Sequence, residues 1–381
     1  YPLGISGFVA RWARERGAQP AFRERCDDAA GGWRTLDWDG FEQQMLAVAA
    51  GLLALGLGQR RPLMILAGNS IAHAVIVAAA EHVGIATVPV SLAHAAATAD
   101  PAALRAMCEL VEPGAVFVDS GLRTAAALQA IALPAERVIA LHDAGPGQLP
   151  WSALLASAPT PRRQAAIDAA RARIDAQTDI ARIFFTSGST GVPKAVPISY
   201  DGVAAQIANA LYFHQAWADA PMVLLDWLPW SHVFGGLGTL CRVFALGGTY
   251  CVDDGRPQPG SFARTVRNLR EIAPTIYASV PAAFALLVPE LERDAAFAKA
   301  FFSRLRYAGY GGASLPRDLW QRFQAAAQHA IGQSIVFVSA FGATETGGGA
   351  LQYSEAGDDI GNIGIPNPGV AVKLVPLDGD D

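Results

Sequence analysis

Cysteine is scarce in this 381-residue chain, and none of its four cysteines, Cys26, Cys108, Cys241 and Cys251, falls in a Cys-x-x-Cys spacing. The pattern suits a reducing compartment and gives no zinc or redox motif. Long apolar runs are missing too. The longest candidate, Leu63 to Val90, is broken by Asn69, Ser70, His73, Glu81 and His82, short of the roughly 20 uncharged residues a spanning helix needs. Basic clusters do not exceed pairs such as Arg60-Arg61, and the net charge is −5, so the footprint of a nucleic-acid binder is absent. The seven histidines are scattered, with no two at helical i, i+4 spacing beside a carboxylate, which removes a transition-metal site. The N-terminus shows no basic segment leading an apolar signal core. We therefore expect a cytoplasmic protein with no membrane span and no nucleic-acid partner.

Hydrophobic residues make up 52% of the chain and charged residues 17%, enough for a large core and two to three domain-sized units. A stripe of Phe41, Met45, Leu46, Ala49, Leu52 and Leu53 predicts a helix over 39–57, capped by Asp39. Strands over 62–67, 85–90 and 115–119 then alternate with helices over 71–82 and 101–110. Residues 156–178 carry prolines and Arg162-Arg163 without a strong apolar period and read as a linker. From Ile180 the alternation resumes, with strands near 182–186, 222–226, 248–252, 275–278, 305–308 and 334–339. Helices over 261–272 and 316–329 fall between them. After Val370 the pattern predicts a further strand and turn. The expected fold is α/β, with two helix-flanked, mostly parallel sheets: a first subdomain over 1–155, a linker over 156–180, a second subdomain over 181–360 carrying the site, and a small β unit begun over 361–381. Ligands then belong at the loops that follow strand C-terminal ends.

Four of those loops carry chemistry. Thr186-Ser187-Gly188-Ser189-Thr190-Gly191-Val192-Pro193-Lys194 combines hydroxyl donors, glycines that let main-chain N–H groups turn toward an anion, and one cation. It is a phosphate-gripping loop, but its spacing is not that of the P-loop NTPases, and Pro193 sits where that motif opens its helix. Any metal should arrive with the phosphates. Trp227 to Gly236 sets three aromatics and His232 in a turn. There His232 beside Phe234 can orient a carboxylate, with Gly235 leaving room for a flat acyl group, or can be a core histidine bound to a main-chain carbonyl. The stretch Tyr307 to Pro316 thins its backbone at Gly309, Gly311 and Gly312 ahead of Ala313, which makes either a slot for a planar ring beside Tyr310 or a plain tight turn. Ser339 to Thr346 places Phe341, Gly342, Thr344 and Glu345 at a strand end, where Glu345 either meets Mg²⁺ against phosphate oxygens or stays solvated.

Together these loops resemble the adenylate-forming superfamily of acyl-CoA synthetases, adenylation domains and luciferases. The resemblance implies that Thr186 to Lys194 binds the β- and γ-phosphates of ATP. It maps the Pro-x-x-His-x-x-Gly loop onto Pro229, His232 and Gly235, and the adenine wall onto Gly311, Gly312, Ala313 and Leu315. By the same resemblance Phe341 stacks on adenine and Glu345 ligates Mg²⁺. Asp226 to Gly236, Val252 to Gly260 and Gly68 to His73 look like the feruloyl-CoA synthetase branch, although Ser231 and Leu237 replace its usual asparagines. The implied reaction is ATP-dependent activation of a carboxylic acid to an acyl-adenylate, followed by transfer to coenzyme A. Two alternatives stay open: loading of a carrier protein, and nucleotide binding without turnover. The family's ribose-binding stretch and lid domain are not found by Asp381, so the resemblance implies a large N-terminal domain with low activity of its own.

Overall fold

The computed structural model describes residues 4–26, 31–96, 100–157, 160–186, 193–214, 221–355 and 359–375. Sixteen strands are found among these: β1 Pro20–Arg25, β2 Trp33–Asp37, β3 Leu63–Leu66, β4 Thr87–Pro89, β5 Ala115–Ser120, β6 Val138–His142, β7 Leu149–Pro150 and β8 Ile180–Thr186 in the first half; β9 Lys194–Ser199, β10 Val223–Asp226, β11 Thr249–Val252, β12 Ile276–Ser279, β13 Tyr307–Gly311, β14 Val336–Ala343, β15 Gly348–Tyr353 and β16 Ile365–Pro366 in the second. They form a seven-stranded sheet in the order β7-β6-β5-β3-β4-β8-β9 and a nine-stranded sheet in the order β16-β15-β14-β13-β12-β10-β11-β1-β2. Both are mostly parallel, as expected. Only β9 runs against the other strands in the first, and β2 and β15 in the second, while β16 pairs antiparallel with β15 and so runs with the rest.

Side-chain alternation along the strands builds the layers. Leu63 and Ile65 of β3 join a core with Leu224, Ile276 and Tyr307 of the other sheet, so this core lies between the sheets. Met64 and Leu66 point the other way, onto Leu104 and Met107 of the helix Pro101–Val111. Leu225, Tyr277, Ala308 and Tyr310 likewise leave the central core for a third cluster with Phe284, Phe301 and Phe323. The helix Ile71–His82 is buried at every residue, as a helix running between two sheets must be. Ser70 starts it by accepting from the His73 N–H.

Four expectations need correction. The helix beginning at Trp38 is capped by Asp37, whose carboxylate accepts from the Gly40 N–H at 2.8 Å, while Asp39 sits in the first turn, and the helix ends at Ala54. The expected linker holds a helix, Pro161–Arg171, capped by Thr160. It buries only Ile167, which explains its weak apolar period. The boundary at Ile180 does not divide the sheets: β8 pairs with β4, and β1 crosses over to pair with β11. Finally, no strand forms over 370–375, where Leu374 is 92% exposed. The remainder of that expected strand and turn, 376–381, lies outside the described residues.

Parallel order places the C-terminal ends of β10, β12, β13 and β14 along one rim of the large sheet. That rim carries three of the four loops singled out above. No helix among the described residues is long and apolar enough to cross a membrane.

Candidate active site

The phosphate-loop residues Ser187, Gly188, Ser189, Thr190 and Gly191 lie outside the described residues, but both their anchors are placed. Thr186 ends β8 and Lys194 opens β9, and the two are Cα partners across the antiparallel ladder. Thr186 is half-buried and Lys194 is exposed at the two ends of this strand pair.

After β10 the chain turns through a buried polar network. The Asp226 carboxylate accepts from the Leu228 N–H at 2.8 Å, the Thr239 hydroxyl at 2.6 Å and the Tyr250 hydroxyl at 2.9 Å. The Trp230 indole N–H in turn donates to Tyr250 at 2.9 Å. Burial raises the Asp226 pKa to about 6, with the Asp253 charge adding to the rise and the three hydrogen bonds opposing it. Asn69 braces the same turn from the end of β3, donating to the Leu228 carbonyl and accepting from the Trp230 N–H. Trp230 is thus a core residue, edge-on to His73 at 5.0 Å between ring centroids, and not part of a pocket wall. Trp227 is half-buried and donates to the Ser279 hydroxyl at the end of β12.

His232 is exposed, which removes its reading as a core histidine. Its Nδ1 accepts from the Phe234 N–H at 3.2 Å, leaving the proton on Nε2 of the neutral ring. Partial desolvation lowers its pKa, so the neutral form prevails near pH 7. Nε2–H is then a donor without a protein partner among the described residues. Phe234 opens a π-helical turn, Phe234–Thr239, a geometry that recurs at functional sites. Gly235 is needed there, because a Cβ would stand 2.4 Å from the Pro229 carbonyl oxygen.

The Gly311 slot meets this turn directly. A Cβ on Gly311 would lie 3.4 Å from the Phe234 ring, so the ring covers the bare backbone at the end of β13. Gly312 and Ala313 are exposed beyond it, with Gly312 at φ +80°. Tyr310 does not belong to the pocket. Strand alternation sends it to the opposite face, where it is 7% exposed and its hydroxyl accepts from the Gly361 N–H.

β14 runs on through Ala343, making Phe341 and Gly342 strand residues next to Gly311, which pairs with Ala340. Phe341 is 55% exposed and has a free face to offer a planar ring. Thr344, Glu345 and Thr346 form a single 3₁₀ turn, pinned by the Thr346 hydroxyl on the Ala343 N–H. Glu345 projects from it, exposed. No cluster of three or more His, Cys, Asp or Glu that could hold a metal is found among the described residues. A single carboxylate is what Mg²⁺ requires when phosphates and water complete its shell, so Glu345 fits a metal that comes with its nucleotide.

Sequence reading missed the buried pair Glu81 and Arg182, 2.6 Å apart, behind the hairpin. An arginine inside an otherwise apolar strand is the signal that marks it. Two clefts of about 520 and 630 Å³, lined by residues such as Leu53 and Arg163 or Arg105 and Leu133, lie away from all four loops.

The chain is 29% identical over 206 residues to a mitochondrial malonate–CoA ligase of Mus musculus, covering 51% of this chain and 33% of that protein. It is 26% identical over 208 residues to a feruloyl-CoA synthase of Amycolatopsis sp, covering 53% and 38%. A medium/long-chain-fatty-acid–[acyl-carrier-protein] ligase of Mycobacterium tuberculosis is 27% identical over 310 residues, covering 73% and 48%. The matches thus span a third to a half of these relatives' length. Among solved structures, a benzoate CoA ligase from Burkholderia xenovorans superposes with a TM-score of 0.72 at 19% identity, over 96% of this chain and 66% of that one. Residues 9–381 match the family described as AMP-binding enzyme, and the chain belongs to that adenylate-forming family.

Proposed function

We propose that this chain binds ATP and a flat, apolar carboxylic acid of aromatic or hydroxycinnamoyl type, joins them as an acyl-adenylate, and serves an enzyme that passes the acyl group to coenzyme A. The observation that carries the reading is Phe234, two residues after His232, lying on bare Gly311 at the rim of the large sheet. A slot with an aromatic wall and a glycine floor admits a planar group. Beside it, one neutral donor, His232 Nε2–H, suits a carboxylate that must stay nucleophilic.

In this reading the acid is already ionised at neutral pH, so positioning and charge neutralisation do the work rather than a general base. A carboxylate oxygen attacks the α-phosphorus, the new C–O–P linkage forms, and the α–β bridge bond breaks to release pyrophosphate. The hairpin from Thr186 to Lys194 holds the departing phosphates, and His232 orients the carboxyl group. Glu345 would hold Mg²⁺, which would supply neutralisation of phosphate charge when bound. In the second step the thiol sulfur attacks the acyl carbon and AMP leaves, with the thiol proton lost to solvent. The names of the feruloyl-CoA synthase and benzoate CoA ligase relatives support an aromatic acid.

Acid-dependent ATP–pyrophosphate exchange tests the proposal across arylpropenoic, benzoic, malonic, medium-chain fatty and amino acids. Aromatic acids should lead. Exchange led by malonate or an amino acid would overturn the substrate assignment. A carrier-protein acceptor is the second reading, favoured by the mycobacterial relative, and parallel assays with coenzyme A and a phosphopantetheinylated carrier separate the two.

A further inference from the structure

Glu81 and Arg182 are 101 residues apart in sequence and both fully enclosed, with side chains 0% and 2% exposed. Burial works against the charged guanidinium, but the Glu81 carboxylate and the Cys241 sulfur beside it more than offset this, so the Arg182 pKa rises and the guanidinium stays charged. The other Glu81 oxygen accepts from the Ile5 N–H at 3.0 Å. Arg182 uses its fork for two purposes. Nε meets Glu81, while Nη1 donates to the carbonyl of Gly236, inside the π-helical turn.

The same carbonyl is where β8 and that turn touch. Phe184, on the same face of β8 as Arg182, lies 3.1 Å from where a Gly236 Cβ would stand, and the Trp230 carbonyl closes the other side at 2.5 Å. Nothing larger than glycine fits, so backbone and guanidinium meet directly. The π register sends the Leu240 N–H to the Gly235 carbonyl, five residues back. The Thr239 hydroxyl lies 2.6 Å from Asp226 and 3.1 Å from that same Gly235 carbonyl. The wide turn is thus gripped from two sides, by Asp226 through Thr239 and by Glu81 through Arg182.

We propose that Arg182 is a positioning residue that fixes the acyl turn relative to the phosphate hairpin. It stands four residues before Thr186 on one side and holds a carbonyl two residues after Phe234 and four after His232 on the other. This rests on the adenylate-forming reading given above.

Arg182→Lys is the discriminating variant, because an ammonium keeps the charge beside Glu81 but lacks the fork that reaches both partners. Hydrogen exchange of the 233–240 amides should accelerate at least tenfold in the variant. The KM for ATP should stay within twofold, while the turnover number for acid-dependent pyrophosphate release falls by about 10- to 100-fold, the scale of a roughly 1 Å misplacement. Should Arg182→Lys fold poorly, Glu81→Leu with Arg182→Met removes both charges together and carries the same readouts. Unchanged exchange of 233–240 in the folded variant overturns the proposal, as does a loss of turnover matched by an equal loss of ATP affinity and melting temperature. The exchange arm needs no turnover. A wild-type chain inert with every acid would therefore sink the functional reading and leave the pinning role of Arg182 to be decided separately.

Discussion

Gly342 of β14 lies so close to the Gly348 carbonyl at the start of β15 that a Cβ on it would stand 1.6 Å from that oxygen. That contact is with backbone, which cannot swing aside, and the hairpin it closes is the one that presents Phe341 and Glu345. Gly342→Ala should therefore cost about 1–3 kcal/mol, in the range of overpacked sites. It should also weaken ATP binding by opening the turn Thr344–Thr346. Thermal unfolding and ATP titration of the variant check both effects, and an unperturbed melting temperature with full ATP affinity would contradict the hairpin's role.

Much of the architecture could be read from the chain because strands, helices and turns are local. The period of Ile71–His82, the apolar run of β3 and the glycines after β13 each announce themselves within a few residues. Sheet membership is not local. Whether β8 pairs with β4 or opens a new sheet depends on partners 90 or more residues away, and no period records it. Three of the four candidate loops were legible as the ends of β10, β13 and β14, but the orientation of Tyr310 was not. It follows from the alternation of β13, whose register is fixed only when Tyr307 turns to the central core. The Glu81–Arg182 pair was hidden for the same reason, since each partner alone is an odd charge in an apolar element. The helix Pro161–Arg171 escaped because it lies on the surface and needs only one apolar anchor.

Three buried groups set the acid response. Burial lowers His73 and His82 to about 4, with the charge of Arg182 adding to the first and that of Arg171 to the second. A depressed histidine binds fewer protons folded than unfolded, so its stabilising contribution is complete above about pH 6.5 and is lost as the pH falls toward 4. Asp226, raised to about 6, acts oppositely: its protonated form is favoured in the fold, so its contribution is present below about pH 3.8 and is lost as the pH rises through 6. Between pH 4 and 6 two histidines oppose one carboxyl. The net expectation from these three groups is a loss of stability on acidification. Asp226→Asn removes the opposing group and should steepen that slope, as denaturant unfolding at pH 4.5, 5.5 and 6.5 will show. A shallower slope in the variant would contradict the assignment.

Phe234 over Gly311 should control which acids enter. A Gly311→Val side chain would extend beyond the Cβ position that already lies 3.4 Å from the ring. It should push Phe234 outward and raise the KM for arylpropenoic acids about tenfold, a typical scale for misfit in an apolar pocket. Phe234→Ala should do the reverse for bulkier ring-substituted acids. ATP affinity serves as the control for Phe234→Ala, which leaves the hairpin unchanged, while Gly311→Val, at the implied adenine wall, is scored on the ranking of acids. If both variants leave the ranking of acids unchanged, the acid binds elsewhere.

Glu345 stands exposed on a turn whose own hydrogen bonds do not use its carboxylate. Glu345→Gln replaces an anion by a neutral group of the same shape, and a surface change of this kind should move stability by no more than about 0.5 kcal/mol. Its effect should fall on the metal instead. Mg²⁺ binds through few protein carboxylates and several phosphate and water oxygens, so removing the one carboxylate proposed for it should leave the nucleotide contacts proposed for the hairpin and Phe341 in place. The variant should still bind ATP without Mg²⁺ as the wild type does, yet gain little affinity when Mg²⁺ is added. Calorimetric titration of ATP at several Mg²⁺ concentrations reads this directly as the difference between the two magnesium dependences. Identical dependences, with the melting temperature also unchanged, would remove Glu345 from the metal site and direct attention to the hydroxyls of Thr186 and Thr344 as the groups that face the ion.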